Sequence, residues 1–315
     1  MNYDFLPDHL RVYVVEQEYS NYSLADHAAW RFIIKISKNF FIENAHSSYL
    51  KGLQKTGISE NQIPKIEVID EKLQRFGWRA VCVRGFIPPL VFMDFQSRAI
   101  LPIAADMRTV EHLTYTPSPD IVHESAGHSP IIIDEDYSDY LKSYGSIARK
   151  AIYSKEDIDV YIAIKNLSDL KENPKSTNKD IDKAGKKLEE AYSSIRYTSE
   201  AAMLSRMNWW TVEYGLIGTE NAPKIYGAGL LSSVSESENS LSSKVKKINF
   251  SKDCMNYDYN ITEQQPQLFV VESFKELKNT LMEVEKEMIF NKPPKYGLKK
   301  AIEARAVCTV ELGQS

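Results

Sequence analysis

Apolar residues in the first quarter of the chain follow the spacing of helices. Ser23 and Asp26 form a predicted capping box, in which each side chain accepts a hydrogen bond from the other residue's backbone amide. The apolar positions that follow it at helical spacing are Trp30, Ile33, Ile34 and Phe41. A second helical pattern covers residues 66–76 and ends at Gly77. The spacing therefore predicts two helices before residue 80.

Farther along the chain, short apolar runs alternate with longer helical patterns. The runs that predict strands or extended segments cover residues 80–83, 100–103 and 268–271. The later helical patterns cover residues 134–164, 191–216 and 273–289. Residues 168–190 are mostly Lys, Glu, Asp and Asn, which predicts a solvated helical excursion or a loop. The predicted fold class is mainly α with a small β component.

Composition narrows the class of protein. With 315 residues, 43% of them hydrophobic and 26% charged, the chain is long enough to bury a sizeable core. A formal net charge of -4 gives no electrostatic basis for binding nucleic acid or an anionic membrane. The sequence shows no signal-peptide pattern and no apolar run long enough to cross a membrane. Three isolated cysteines are typical of a reducing compartment, so we expect a cytoplasmic protein.

Two histidines in one short segment are candidate metal ligands. His123 and His128 are five residues apart, which places them about 140° apart around a regular α-helix. They could meet only if the helix ended at Gly127 and let His128 turn back. The spacing differs from the HExxH pattern of zinc proteases, whose histidines share one helical face.

A carboxylate supplies the third candidate ligand. Glu213 follows Trp209 and Trp210 by four and three residues, so it shares a helical face that we expect to be buried. Burial of a lone carboxylate is costly unless a cation or hydrogen bonds compensate. A metal ion would do so, and an ion pair with Arg206 is the alternative. Two imidazoles and one carboxylate serve both non-haem iron oxygenases and catalytic zinc sites, so the ligand set alone leaves the metal open.

Four segments, in order along the chain, carry a family resemblance. They begin at Thr116-Pro117, Trp209-Trp210, Tyr226-Gly227 and Thr262-Glu263, and the first contains both histidines. Together they resemble the signature blocks of the pterin-dependent phenylalanine, tyrosine and tryptophan hydroxylases. The resemblance covers about residues 30–289 and implies the single catalytic domain of that family. We therefore predict an N-terminal arm over residues 1–25, a catalytic domain over residues 26–290 and a C-terminal tail or linker over residues 291–315.

The resemblance also implies a reaction. His123, His128 and Glu213 would bind Fe(II), a tetrahydropterin would supply two electrons, and dioxygen would be split between the aromatic ring of an amino acid and the pterin. Phenylalanine is the preferred substrate, because the apolar Ile261 stands where the specificity loop of the family runs. Tryptophan remains an alternative, as do a zinc hydrolase with the same ligands and a non-catalytic binding module. The short arm leaves no room for the regulatory domain of the animal enzymes, so we expect no allosteric control of that kind.

The same resemblance implies roles in pterin and substrate binding for individual residues. Glu124 matches the glutamate beside the pterin, and Phe86 matches the aromatic residue that stacks on the pterin ring. Arg108 falls where the family places the arginine that binds the carboxylate of the substrate, a task suited to a guanidinium fork. The residues expected to line the amino acid pocket are Thr116, Trp209 and Ser232. For Ser232 a structural hydrogen bond is the alternative.

Overall fold

A computed structural model describes residues 3–113, 119–172, 175–261 and 263–306. It divides into two compact units, one formed by residues 1–149 and 206–282 and the other by residues 150–205 and 283–315. No helix within the described ranges is long and apolar enough to span a bilayer. Helices predominate and strands are few, so the predicted fold class is confirmed.

The first half of the larger unit is mostly helical. Its helices are α1 (Asp8–Arg11), α2 (Leu24–Asn44), α3 (Ser48–Lys55), α4 (Ile66–Leu73), α5 (Pro89–Ser97) and α6 (Glu135–Ala148). The predicted capping box of Ser23 and Asp26 begins α2. Gly77 ends the second predicted helix with a left-handed conformation, φ 72°. Two strands, β1 (Arg79–Val83) and β2 (Ile100–Ala104), pair in parallel. The predictions for these elements are therefore confirmed.

The rest of the larger unit carries a mixed four-stranded sheet. Its strands are β3 (Leu216–Thr219), β4 (Ala222–Ile225), β5 (Lys246–Asn249) and β6 (Gln267–Val271), in the order β4-β3-β6-β5. β3 is antiparallel to β4, and β6 is parallel to both β3 and β5. Two short helices, α10 (Ala228–Leu231) and α11 (Val234–Ser240), follow β4. Only β6 had a clear sequence signal, because the other three strands have four residues each.

The smaller unit contains a pair of packed helices, α7 (Lys155–Glu172) and α8 (Asn178–Ser193), and a C-terminal helix, α13 (Pro294–Glu303). Within the described residues, the charged stretch predicted as an excursion thus forms the end of α7 and most of α8. Two further helices, α9 (Glu200–Asn208) and α12 (Phe274–Glu287), cross the boundary between the units along the chain.

Two of the long helical predictions were wrong in their extent. The pattern over residues 134–164 is broken between α6 and α7, where Ser154 accepts a hydrogen bond from the backbone amide of Asp157 and begins a new helix. The pattern over residues 191–216 is broken after Ser193, and Ser199 caps the helix that follows. Periodicity alone missed these serine caps.

The predicted N-terminal arm packs against the first sheet. Leu6 and Leu10 are buried in a cluster with Val81, Val83 and Phe95. The proposed domain boundaries at residues 25 and 290 remain a prediction, because the packing of these leucines does not define a boundary.

A partly buried ion pair joins α4 to β1. Asp70 accepts hydrogen bonds from Nε and Nη2 of Arg79 at 2.7 and 2.9 Å, and from the backbone amide of Ala80 at 2.8 Å. Asp70 is buried, whereas Arg79 is partly exposed and lies over the ring of Phe5. Gln74 Nε2 also donates to Asp70 at 3.2 Å, so the carboxylate satisfies four donors at the point where the chain enters the sheet.

We predict that Asp70→Ala lowers the free energy of unfolding by about 2–4 kcal/mol, because it leaves a guanidinium and a buried amide without their acceptor. Glu71→Ala, at the exposed neighbouring position, should change it by less than about 0.5 kcal/mol. Denaturant unfolding measures both. Equal losses in the two variants would contradict this account of Asp70.

Candidate metal centre

The two candidate histidines lie in a π-helix over Val122–His128. Because hydrogen bonds in a π-helix run between residues five apart, residues i and i+5 come near one another on the same side. The expectation that the helix would break at Gly127 is therefore wrong. The helix widens instead, and this widening accommodates the five-residue spacing of His123 and His128.

A second π-helix, over Trp209–Glu213, carries the candidate carboxylate. The backbone amide of Tyr214 donates to the carbonyl of Trp209 at 2.8 Å and closes this wide turn just after Glu213. Arg206, the alternative partner for Glu213, pairs with Asp258 instead. The structure thus gives Glu213 no arginine partner at this helix.

Glycines let α10 approach both π-helices at backbone distance. A Cβ on Gly127 would lie 2.7 Å from the carbonyl oxygen of Ala228, and a Cβ on Gly227 would lie 2.5 Å from that of Glu213. Neither position has room for a side chain, because its neighbour is backbone. The short segment that contains α10 therefore packs directly against both ligand-bearing turns.

The three candidate ligands converge on one point. His123 Nε2 lies 3.1 Å from His128 Nε2 and 3.3 Å from Glu213 Oε2, and His128 Nε2 lies 3.5 Å from Glu213 Oε1. One ligand atom from each residue lies within 4.8 Å of those from the other two. Within the described ranges, this is the one such group of histidine, cysteine or acidic residues.

These separations fit a divalent cation. Two atoms each about 2.1 Å from a metal lie about 3.0 Å apart at a right angle and about 3.4 Å apart at a tetrahedral angle. The ligand atoms here are 3.1 to 3.5 Å apart, and His128 is buried. Three protein ligands on one side of the metal leave other positions open.

Ser232 sets the tautomer of His123. Its hydroxyl donates to the carbonyl of Ala228 at 2.8 Å and lies 2.9 Å from His123 Nδ1. Since the hydroxyl hydrogen is used, Ser232 accepts from a protonated Nδ1, and Nε2 keeps its lone pair for a metal. The alternative reading of Ser232, a structural hydrogen bond, matches this geometry.

The side chains of the cluster retain a proton, which lies on His123. Burial lowers the pKa of His123, but the charge and hydrogen bond of Glu213 outweigh it and raise that pKa to about 9. Burial, together with the charge of His123, lowers the pKa of His128 to about 4. Burial raises the pKa of Glu213, but the two imidazoles outweigh it and lower that pKa below its ordinary value. A bound cation would displace the proton from His123.

Glu124 lies beside the cluster. Its Oε2 is buried, 3.9 Å from His128 Nε2, and has no hydrogen-bond partner in the part of the chain that the structure describes. Burial, followed by the charges of Glu213 and Asp120, raises the pKa of Glu124 to about 8, although His123 opposes the shift. A carboxyl group with an unused oxygen can accept a hydrogen bond from a ligand or, when it is protonated, donate one to it.

Arg108 is buried, with 0% of its side chain exposed, and it already has partners. Its Nε and Nη2 donate to the carboxylate of Asp120 at 2.7 and 2.8 Å, and its Nη1 donates to the carbonyl of Ser232 at 2.9 Å. A guanidinium has five N–H groups, so one remains on each Nη nitrogen. The expected role in binding a substrate carboxylate would have to use these two.

The remaining predicted positions are placed as follows. Phe86 is half-buried in the loop after β1, next to Gly85, whose amide donates to Asp106 at 3.1 Å. Trp209 begins the second π-helix and is half-buried. Thr116 lies outside the described residues.

Two functional neighbours were missed at the sequence level. Asp120 follows two prolines in the sequence, Pro117 and Pro119, where an acid suits the start of a helix, and this local interpretation did not indicate its pairing with the buried Arg108. Tyr259 had no sequence signal, and it stacks on Trp209 with ring centroids 4.3 Å apart. Only a contact across fifty residues of sequence reveals this pair.

Comparison with known proteins identifies the family to which the chain belongs. A family model described as biopterin-dependent aromatic amino acid hydroxylase matches residues 14–164 and 192–296. The phenylalanine-4-hydroxylase of Chromobacterium violaceum is 30% identical over 268 residues, which are 84% of this chain and 75% of that protein. That of Ralstonia nicotianae is also 30% identical over 268 residues, covering 84% of this chain and 72% of its own length.

Solved structures give the same result. The Chromobacterium violaceum phenylalanine hydroxylase with bound iron(III) and 7,8-dihydrobiopterin has a TM-score of 0.69 and 27% identity, covering 90% of this chain and 92% of that one. The form of that enzyme with iron and phenylalanine has a TM-score of 0.64 and 27% identity, covering 92% and 87%. The resemblance noted in the sequence is confirmed, and the chain belongs to the family of biopterin-dependent aromatic amino acid hydroxylases.

Proposed function

We propose that this protein is an Fe(II)- and tetrahydropterin-dependent monooxygenase that hydroxylates the ring of phenylalanine to give tyrosine. The observation that carries the proposal is the convergence of His123, His128 and Glu213 on one point, with ligand-atom separations suited to a single cation. Family membership favours iron over a zinc hydrolase that would use the same ligands.

The three ligands would hold ferrous iron on one side, and iron with tetrahydropterin would supply the activation of dioxygen. Ser232 would keep His123 in the tautomer that binds metal. Glu124, with its unused buried oxygen, would accept or donate a hydrogen bond at the pterin. Phe86 would stack on the pterin from the loop after β1, since an aromatic face suits a flat heterocycle.

The substrate would be bound through its carboxylate and its ring. Arg108 would present the two N–H groups that Asp120 and Ser232 leave free. Because Asp120 already fixes the guanidinium, the fork is oriented before a ligand arrives. Trp209 would form part of the wall around the ring, and Thr116 would contribute from the same pocket.

Phenylalanine is proposed over tryptophan for two reasons. Ile261 is apolar and stands in the loop before β6. The relatives described above are phenylalanine hydroxylases, and one was solved with iron and phenylalanine bound. A cytoplasmic location is proposed because two of the three cysteines, Cys82 and Cys254, are buried free thiols.

A product assay tests the function. Protein loaded with Fe(II) without oxygen is given phenylalanine, tyrosine or tryptophan with tetrahydrobiopterin, and then air. We expect tyrosine from phenylalanine, one oxygen atom heavier than its substrate by mass spectrometry, with the highest kcat/KM of the three. Preferred oxidation of tryptophan would replace the substrate assignment, and no oxidation of any of them would overturn the function.

We predict that Glu213→Gln loses iron, because a neutral amide replaces the anionic ligand while the side-chain shape is kept. After gel filtration, the parent protein should retain about one iron per chain and the variant less than about a tenth of that. Elemental analysis measures the ratio. Glu220→Gln, at an exposed position between β3 and β4, should retain the parent content. Full iron content in Glu213→Gln would remove Glu213 from the ligand set.

We predict that Ser232→Ala weakens iron binding by about 10–100-fold, because His123 loses the acceptor that fixes its tautomer. Competition with a chelator measures the affinity. Ser240→Ala is the matched control, since Ser240 is also buried and donates to a nearby carbonyl, that of Ser237. If both variants bind iron like the parent, Ser232 has no role in ligand orientation.

A further inference from the structure

Trp209 is the middle ring of a stack of three aromatic side chains. Its ring centroid lies 4.5 Å from that of Tyr214 with an interplanar angle of 25°, and 4.3 Å from that of Tyr259 with an angle of 11°. Rings this close and this nearly parallel occupy the faces of the indole. A ligand in the neighbouring space can therefore meet Trp209 by its edge.

The two outer rings come from different parts of the chain. Tyr214 directly follows the candidate ligand Glu213, whereas Tyr259 belongs to the segment between β5 and β6. The stack therefore joins the π-helix that carries Glu213 to a segment some fifty residues away.

Contacts made by the residues just before Tyr259 hold its segment against α9 and the π-helix. Trp210 donates from Nε1 to the carbonyl of Tyr257 at 2.9 Å, and its ring meets the edge of Tyr259 with centroids 6.3 Å apart. Arg206 pairs with Asp258 and donates to the carbonyl of Met255. Tyr259 is thus placed by a fixed segment and, in turn, limits the positions that Trp209 can adopt.

The edge of Trp209 also carries an unused donor. Its Nε1 is buried, and no acceptor for it lies among the residues that the structure describes. A buried N–H without an acceptor is costly, and buried indoles usually find one. The edge of the indole is therefore the part of Trp209 that a bound ligand would complement.

We propose that Tyr259 is a positioning residue for substrate choice: it clamps Trp209 so that only the indole edge borders the amino acid pocket, and this edge sets the size of ring accepted. The inference rests on the proposed function, in which Trp209 is part of the pocket wall. Without the clamp, Trp209 would swing, and the wall would admit a larger ring or hold a phenyl ring less well.

The test compares Tyr259→Phe, which keeps the stacking ring, with Tyr259→Leu, which keeps apolar bulk and removes it. Near-ultraviolet circular dichroism reports the stacked indole without any turnover. We expect the Leu variant to lose part of this signal and the Phe variant to keep it. Tyr259→Met, a second unstacked side chain, serves in place of Leu if the Leu variant does not fold.

Kinetics with the iron-loaded enzyme give the decisive readout. In Tyr259→Leu, the KM for phenylalanine should rise about three- to tenfold with a smaller change in kcat, since a misplaced wall weakens binding of the ring. The ratio of kcat/KM for phenylalanine to that for tryptophan should fall by a similar factor. Tyr259→Phe should keep the parent's KM for phenylalanine and the parent's ratio of kcat/KM values. An unchanged ratio in a Leu variant that has lost the dichroism signal would overturn the clamp while leaving the function intact.

Calorimetry separates failure of the clamp from failure of the function. Phenylalanine is titrated into iron-loaded protein without oxygen, which requires no reaction. Weaker binding to Tyr259→Leu, with parent-like binding to Tyr259→Phe, supports the clamp even if no amino acid is oxidised. Equal affinity in the parent and both variants overturns it.

Discussion

The site depends on placing one half-buried carboxylate against two imidazoles. Glu213 lies 3.3 and 3.5 Å from the Nε2 atoms of His123 and His128, in surroundings that disfavour charge. At these distances opposite charges attract strongly, and like charges would repel as strongly. The arrangement is stable only with a positive charge at its centre, supplied either by a proton on His123 or by a metal ion. The backbone must therefore hold three side chains at one point before the cation arrives.

The backbone achieves this with two wide helical turns packed through glycine. Both π-helices place residues five apart near one another, which a regular α-helix cannot do. Gly127 and Gly227 then allow α10 to lie at backbone distance from both turns. π-helices are rare and occur mostly as single wide turns, and here the short segment packs directly against both of them.

The sequence predicted the helices and strands that carry clear local signals and missed the shortest strands. Ser23 with Asp26, and Gly77, marked helix ends because their interactions are local. Strands β3, β4 and β5 have four residues each, too few to show a hydrophobic period. β3 and β4 form a hairpin, and β3 and β5 also pair with β6 farther along the chain. Similarly, the sequence indicated the types of the ligand residues and their spacing, but the helical period used to place them describes only a regular α-helix. It therefore suggested a broken helix where the structure has a wider one.

Local sequence patterns also failed to indicate the hydrogen bonds around the ligands, in which Arg108 and His123 share two partners. Asp120 accepts from Arg108 and also from the backbone amide of His123 at 3.0 Å, and Ser232 bonds both residues as well, through its carbonyl and its hydroxyl. The proposed substrate anchor and a proposed iron ligand thus share the same two supports. A displacement of the guanidinium would strain hydrogen bonds that also fix His123. In the proposed function, substrate binding and metal geometry would therefore be joined through shared neighbours. Of these neighbours, Asp120 is close in sequence to both residues, whereas Ser232 joins the network from more than a hundred residues away.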